Sequence, residues 1–121
     1  MFLFAHPESK GKYYFNYKAI QEQSLGDDND YKNKKDVWTV NTSSFKGAHF
    51  AVFPRKLIAP CIKASTREGD IVLDTFAGSG TTCKLAQELG RKWIGIELNP
   101  DYAKIIKEQT LGIGGTMVIK K

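Results

Sequence analysis

Hydrophobic positions in the second half of the chain change period several times. Short runs of β-branched and apolar residues alternate with segments whose apolar residues recur at helical spacing. The pattern predicts a strand at 70–73, a helix at 81–89, a strand at 93–97, a helix beginning at 99–100 and a last strand at 117–119. Gly90 is placed to stop the first helix. This β–α–β–α order predicts an α/β fold with a parallel sheet.

The first half of the chain has weaker periodicity. The apolar run at 2–5 predicts a buried strand, and a turn follows it through Pro7 and Gly11. We expect the aromatic group Tyr13, Tyr14, Phe15 and Tyr17 to pack in the interior rather than to stack on bases. Residues 20–35 are polar, with an acidic run before a basic one, and are predicted to form a mobile surface loop.

A second helical pattern precedes the sheet. Residues 37–40 predict a short extended piece, and Pro54 suits the first turn of a helix because its missing N–H is unpaired there anyway. Apolar residues from Leu57 to Ile62 then recur at helical spacing. Pro60 interrupts this pattern, so we expect a kink or two short helices.

Composition and charge exclude only a few classes of function. With 121 residues the chain is one domain at most, and its net charge of +5 suits contact with a polyanion. Cys61 and Cys83 lack C-x-x-C spacing, which favours small core residues over a disulfide or a metal site. The sequence has no apolar run of roughly 18 residues and no signal peptide, so a cytoplasmic protein is expected.

The chemically informative stretch is a glycine-rich turn between a strand and a helix. Glycines at 78 and 80 let the backbone approach a ligand, and Asp74 and Glu97 end successive strands. The phosphate-binding loop of nucleoside-triphosphate-binding proteins is excluded because Thr81, not lysine, follows Gly80. The dinucleotide-binding motif would have glycine at the position of Cys83. A turn without a ligand would leave both carboxylates unexplained. An adenosine cofactor is therefore favoured, with Glu97 placed for ribose hydroxyls.

Residues 74–82 resemble the cofactor motif D-P-F-x-G-S-G-T-T of bacterial DNA methyltransferases that modify exocyclic amino groups. Thr75 stands where that family usually has proline. Four further blocks match in order and spacing: Lys12-Tyr13-Tyr14-Phe15, Asp36-Val37-Trp38, His49-Phe50-Ala51-Val52-Phe53-Pro54 and Trp93-Ile94-Gly95-Ile96-Glu97-Leu98-Asn99. Because the block at 49–54 precedes the glycine turn, the chain is similar to the permuted β class.

The resemblance implies a partial Rossmann-like S-adenosylmethionine-dependent methyltransferase fold, with residues 49–110 as its cofactor-binding core. Asp74 would take the amino group of the cofactor and Glu97 its ribose hydroxyls. The residues expected to surround the cofactor are Ala51, Phe53, Pro54, Asp74, Phe76, Ala77, Gly78, Ser79, Gly80, Thr81, Glu97, Leu98 and Asn99. His49 is expected to be structural. Double-stranded DNA would be the partner of the complete enzyme, with phosphate contacts from Lys32, Lys34, Lys35, Arg55 and Lys56.

The catalytic block of that family, Ser/Asp/Asn-Pro-Pro-Tyr/Trp, has no counterpart in this sequence. Residues 99–102 carry a single proline directly after Glu97, where the fold needs a turn into a helix. No catalytic residue is therefore assigned, and the chain alone is expected to be inactive. We expect a C-terminal part of a methyltransferase, missing an N-terminal half or pairing with a partner or a second copy. The alternatives are a non-catalytic S-adenosylmethionine- or DNA-binding or assembly module and a remnant of a truncated gene.

Overall fold

A computed structural model describes residues 6–24, 30–41, 53–110 and 114–119 of the chain. Short elements come first: 3-10 helices at Pro7–Ser9 and Tyr17–Ile20, and an antiparallel pair of two-residue strands, β1 (Glu22–Gln23) and β2 (Tyr31–Lys32). The remaining elements are α1 (Arg55–Ser65), β3 (Ile71–Asp74), α2 (Thr81–Glu88), β4 (Lys92–Glu97), α3 (Pro100–Thr110) and β5 (Gly115–Ile119). The predicted strand at 2–5, together with His49 and Ala51, lies outside the described residues.

The main sheet has the strand order β3-β4-β5, and both neighbouring pairs are parallel. Each connection between consecutive strands carries a helix, which is the connection that parallel strands require. This arrangement confirms the predicted β–α–β–α core and its last strand. Gly90 follows α2 with a φ of 75°, a left-handed conformation that suits glycine at a helix end, as the sequence predicts.

The core lies on the face of the sheet that α2 and α3 cover. Its buried residues include Cys83, Trp93 and Ile106, and Val72 and Met117 pack against them. α1 joins this core through Ile62 and packs against α2. Burial of Cys83 confirms its predicted core position, whereas Cys61 is only half-buried.

The opposite face of the sheet is open in the part of the chain described. Side chains alternate between faces along a strand, so Ile71 and Leu73 both point away from the core, and each is 59% exposed. Val118 on β5 is also exposed. β3 pairs only with β4 among the described strands and therefore forms an edge of this sheet.

Several expectations for the first half were wrong. Tyr13, Phe15 and Tyr17 are exposed rather than packed, because no described layer covers them, and only Tyr14 is half-buried. The Tyr14 ring instead meets the Arg67 guanidinium, whose central carbon lies 4.5 Å from the ring centroid. Residues 37–40 pair in no strand, and their predicted extended conformation stays a prediction.

Two further features differ from the sequence pattern. Pro60 lies inside one continuous helix, α1, rather than between two short helices, since the helix tolerates the loss of a single N–H donor there. The alternative, a kink at Pro60, stays a prediction. The segment predicted as a loop at 20–35 contains the β1–β2 ladder, which the Glu22–Lys34 ion pair accompanies. Its mobility remains a prediction.

Two kinds of feature are absent from the described ranges. None of their helices is long and apolar enough to cross a membrane. Their histidines, cysteines and carboxylates form no group that could hold a metal ion.

Candidate functional site at the carboxyl edge of the sheet

The two strand-end carboxylates lie at the same edge of the sheet. Asp74 is the last residue of β3 and is paired with Gly95, two positions before Glu97 at the end of β4. Because β3 and β4 are parallel, their carboxyl ends meet at one edge, where ligands bind in open α/β sheets. The strand register thus brings the two acids close together although they are far apart in sequence.

The glycine-rich turn is held to this edge by backbone hydrogen bonds. The N–H of Ala77 donates to the carbonyl oxygen of Ile96 on β4, at 3.0 Å. The N–H of Phe76 donates to Oδ1 of Asp74, at 3.1 Å, which leads the chain sharply out of β3. The turn therefore crosses from the end of one strand to the end of its neighbour before α2 begins.

Glu97 connects both turns at the edge. Its Oε2 accepts a hydrogen bond from the N–H of Gly78, at 2.7 Å, and its Oε1 accepts one from the N–H of Asn99, at 2.8 Å. An ionised carboxylate has about four lone-pair sites, so both oxygens retain capacity for hydroxyl donors of a ligand. Glu97 is consequently both a structural acceptor and a potential ligand group.

The start of α2 requires glycine. Gly80 caps the helix with a φ of 86°, and a Cβ built there would lie 2.5 Å from Cγ1 of Ile106. A side chain at this position would combine a strained backbone with a clash in the core. The glycine thus allows α3 to approach the turn while the first N–H groups of α2 point toward the carboxyl edge.

Apolar surface flanks the carboxylates. The Phe76 side chain is 90% exposed and that of Leu98 is 72% exposed, and each is two residues or fewer from a strand-end acid. Large apolar residues exposed beside polar groups are typical of ligand-binding surfaces. The edge therefore offers carboxylates, helix N–H groups and apolar side chains together.

Cys83 lies beneath the turn. Burial raises the pKa of its thiol to about 12, and the negative charge of Asp74 adds to the rise. A thiol with such a pKa remains protonated and is a poor nucleophile. Its role is packing: a Cβ at Gly95 would lie 3.0 Å from the Cys83 sulfur, so strand and helix are in close contact here.

Ala51 lies outside the described residues, and the other residues predicted to surround the cofactor separate into two groups. Ten of them form one continuous arrangement at the carboxyl edge: Asp74, Phe76, Ala77, Gly78, Ser79, Gly80, Thr81, Glu97, Leu98 and Asn99. Phe53 is 40% exposed. Pro54 lines a cavity at the start of α1 that contains no residue of the glycine turn. The assignment of Phe53 and Pro54 to the cofactor remains a prediction.

Two features of the site were not predicted from sequence. Ile106 on α3 sets the space available at Gly80. Oδ1 of Asn99 accepts a hydrogen bond from the N–H of Asp101, at 2.9 Å, so Asn99 caps α3. The Asn-Pro pair at 99–100 carries the signal for this cap, whereas a contact such as Gly80–Ile106 leaves no local signal.

Comparisons with known proteins show what this chain is similar to. The model of the family described as DNA methylase matches residues 1–108. The chain is 48% identical over 111 residues to the type II methyltransferase M.Cfr9I of Citrobacter freundii. It is 43% identical over 117 residues to M.XycI of Xanthomonas campestris pv. cyanopsidis. The solved structure of an M1.HpyAVI–SAM complex superposes with a TM-score of 0.60 at 28% identity, over 84% of this chain and 45% of that one.

These alignments cover most of this chain but a minor share of its relatives. The match to M.Cfr9I spans 92% of the chain and 36% of the relative, and the match to M.XycI spans 97% and 38%. The chain therefore corresponds to little more than a third of the length of each of these methyltransferases. The structural match accords with the partial Rossmann-like α/β fold that the sequence predicts. By the family match over residues 1–108 and the identity to these relatives, this chain belongs to the DNA methylase family.

Proposed function

We propose that this chain binds S-adenosylmethionine at the carboxyl edge of its sheet and serves methyl transfer to an exocyclic amino group of adenine or cytosine in DNA. The main support is the placement of Glu97 and Asp74 on either side of a glycine turn that Glu97 itself holds. The structural relative M1.HpyAVI was solved with this cofactor. Both the fold and the chemistry of the edge suit an adenosine ligand with a charged amino group.

Each part of the edge suits a different part of the cofactor. Asp74 accepts hydrogen bonds from the cationic amino group of the methionine moiety, and Glu97 accepts them from the ribose hydroxyls. The segment from Phe76 to Thr81 lines the body of the cofactor, with Leu98 and Asn99 beside the adenosine. In this proposal Phe53 and Pro54, with Ala51 before them, contact the methionine end.

The methyl transfer itself needs groups that this chain does not supply. The lone pair of an exocyclic amino group is delocalised into the base ring, so the nitrogen is a weak nucleophile. Attack on the sulfonium methyl forms the N–C bond and breaks the C–S bond, and the nitrogen then loses a proton. The Pro-Pro-Tyr/Trp block that would accept the amino protons and stack on a flipped base is absent from this sequence. We therefore expect the isolated chain to bind cofactor without methylating DNA.

The absence of that block favours one alternative, a non-catalytic module or gene remnant built on the same fold. The two proposals differ in whether the cofactor site works. A remnant is free to lose affinity for S-adenosylmethionine, whereas a part of a functioning enzyme retains it. Intact Asp74, Glu97 and glycines at 78 and 80 support the first proposal.

Calorimetric titration of S-adenosylmethionine into the purified chain tests the proposal. Saturable binding, abolished by excess S-adenosylhomocysteine as a competitor for the same site, is the expected result. ATP serves as the control ligand, because it contains the adenosine but replaces the methionine amino group with phosphates that Asp74 would repel. Failure of the folded chain to bind the cofactor, or equal binding of ATP, would contradict the assignment.

A further inference from the structure

The side chain of Arg91 lies between the C-terminal ends of α1 and α2. Its Nε donates to the hydroxyl oxygen of Thr66, at 3.2 Å, and its Nη2 donates to the carbonyl oxygen of the same residue, at 2.8 Å. Its Nη1 donates to the carbonyl oxygen of Leu89. Thr66 caps the end of α1, and Leu89 caps the end of α2. One guanidinium therefore bonds the ends of two separate helices, and we call this contact the Arg91 clamp.

Both helix ends suit a cation. The last carbonyl groups of a helix have no partner within it, and the aligned peptide dipoles place a partial negative charge there. The guanidinium carries five N–H donors in a planar fork, so Arg91 can serve two such ends at once. A lysine ammonium has the same charge but lacks this fork. The Arg91 clamp thus depends on arginine in particular and not only on positive charge.

The two sides of the Arg91 clamp are each rigidly attached to their own helix. The N–H of Arg91 donates to the carbonyl oxygen of Ala86 on α2, at 2.8 Å, as is usual after a left-handed glycine such as Gly90. On α1, the N–H and the hydroxyl of Thr66 both donate to the carbonyl oxygen of Ile62, at 3.0 and 2.6 Å. A change in the contact between Arg91 and Thr66 is therefore a change in the placement of α1 on α2.

Other contacts near the Arg91 clamp hold α1 less firmly. The ion pair between Arg55 and Glu88 joins the two helices at the surface, and exposed pairs of this kind contribute little. The N–H of Gly69 donates to the carbonyl oxygen of Gly90, at 2.8 Å, but this bond holds the turn before β3 rather than the helix. A cavity of about 540 Å³ borders Arg91 and the last turn of α1. Loss of the guanidinium would therefore leave the end of α1 with space into which it can shift.

The two helices carry the two groups of residues predicted to surround the cofactor. α1 begins directly after Phe53 and Pro54, and α2 begins at the glycine turn. We propose that Arg91 is a positioning residue for the cofactor, because the Arg91 clamp sets the distance between these two groups. This inference rests on the proposed function, in which Phe53 and Pro54 contact the methionine end. Arg91 follows the end of α2 opposite to the glycine turn, so it acts through the helices and not by touching the cofactor.

Calorimetric titrations with two ligands test this role. S-adenosylmethionine spans both groups of residues, whereas 5′-methylthioadenosine keeps the adenosine and the sulfur but lacks the amino-acid end. We expect Arg91→Ala to weaken S-adenosylmethionine binding by about 2- to 30-fold and to leave 5′-methylthioadenosine binding unchanged. Arg67→Ala is the matched control, since it removes the same charge beside Thr66 but from a guanidinium that lies on the Tyr14 ring. This control should bind both ligands as the wild type does.

Arg91→Lys provides a second variant that keeps the positive charge. Because the ammonium cannot bond both helix ends in the geometry of the fork, its affinity for S-adenosylmethionine should lie between those of the wild type and Arg91→Ala. Equal weakening of both ligands in the Arg91 variants would overturn the positioning role, because a general loss of folded structure acts on the whole site. Wild-type affinity for S-adenosylmethionine in Arg91→Ala would overturn it as well.

Hydrogen exchange of the chain without ligand separates this inference from the proposed function. In Arg91→Ala the backbone amides in the last turn of α1 should exchange faster, whereas those of α3 should exchange as in the wild type. A wild-type chain that binds no S-adenosylmethionine would contradict the proposed function and the cofactor role of Arg91 with it. Faster exchange confined to α1 would still support the Arg91 clamp in that case. Unchanged exchange in α1 would overturn the clamp even in a chain that binds the cofactor.

Discussion

The carboxylate of Glu97 accepts a hydrogen bond from the N–H of Gly78, which lies 19 residues earlier in the chain, at 2.7 Å. The same side chain bonds the N–H of Asn99 through its other oxygen. A residue that the sequence offers as a ligand group is thus already part of the local structure. In the proposed function the same carboxylate also binds the ribose hydroxyls, so the structural role of Glu97 is best measured without any ligand.

The first prediction concerns Glu97→Gln in the absence of any ligand. Glutamine presents one acceptor oxygen where glutamate presents two, so one of the two N–H donors loses its partner. We expect a loss of about 1–3 kcal/mol in the free energy of unfolding, measured by urea denaturation. Glu108→Gln, at an exposed position on α3, is the control and should leave stability within about 0.5 kcal/mol of wild type. Equal stability of the two variants would argue against a structural role of Glu97.

The second prediction concerns Asp74→Ala and the cofactor. Removal of a charged hydrogen-bond partner should weaken S-adenosylmethionine binding by about 1–3 kcal/mol, measured calorimetrically. Asp101→Ala removes an exposed carboxylate from the first turn of α3 and should leave the affinity near that of wild type. Unchanged affinity in the Asp74 variant would show that this carboxylate does not meet the cofactor.

The third prediction compares alanine at two glycines of the same turn. Both have positive φ, 52° at Gly78 and 86° at Gly80, so both substitutions strain the backbone. A Cβ at Gly78 meets nothing closer than 4.0 Å, whereas one at Gly80 would lie 2.5 Å from Ile106. We expect Gly80→Ala to be the less stable variant by about 1–3 kcal/mol in urea denaturation. The opposite order would mean that α3 is not packed against the turn.

The fourth prediction concerns alkaline pH and Cys83. Its pKa rises from 9.0 to about 12 in the folded chain, mainly through burial. A raised pKa stabilises the fold below the unfolded value, and this contribution is lost as pH rises from 9.0 toward 12. The stability difference between wild type and Cys83→Ala should therefore shrink above pH 9.0. Urea denaturation at a series of pH values measures it, and a constant difference would contradict the burial of the thiol.

Sequence patterns predicted the second half of the fold because its elements are regular. Strands of period two alternate with helices of period near four, and Gly90 ends α2 where expected. The first half lacks such periods. The size of Tyr13 and Phe15 predicts an interior position, yet their exposure depends on which elements lie above them. The β1–β2 ladder likewise depends on pairing between residues with no apolar alternation.

The candidate site was predictable to a similar degree and for a similar reason. Asp74 and Glu97 could be identified because strand ends and a glycine turn mark them in one dimension. The bonds of Glu97 to two backbone N–H groups could not, since they depend on the register of β3 against β4. That Lys34 lines the same cavity as Arg55 and Lys56 also becomes apparent only in three dimensions.

The edge position of β3 has a consequence for how the chain behaves in concentrated solution. Among the described strands β3 has no partner on its outer side, so its outer backbone groups and the exposed side chains of Ile71 and Leu73 are available to pair with an extended peptide. Three of the four residues of β3 are apolar and the fourth is Asp74, so this short edge discriminates little between such peptides. The chain should therefore be most monodisperse when dilute. A charged side chain in place of Leu73 should keep it monodisperse at concentrations at which the wild-type chain self-associates.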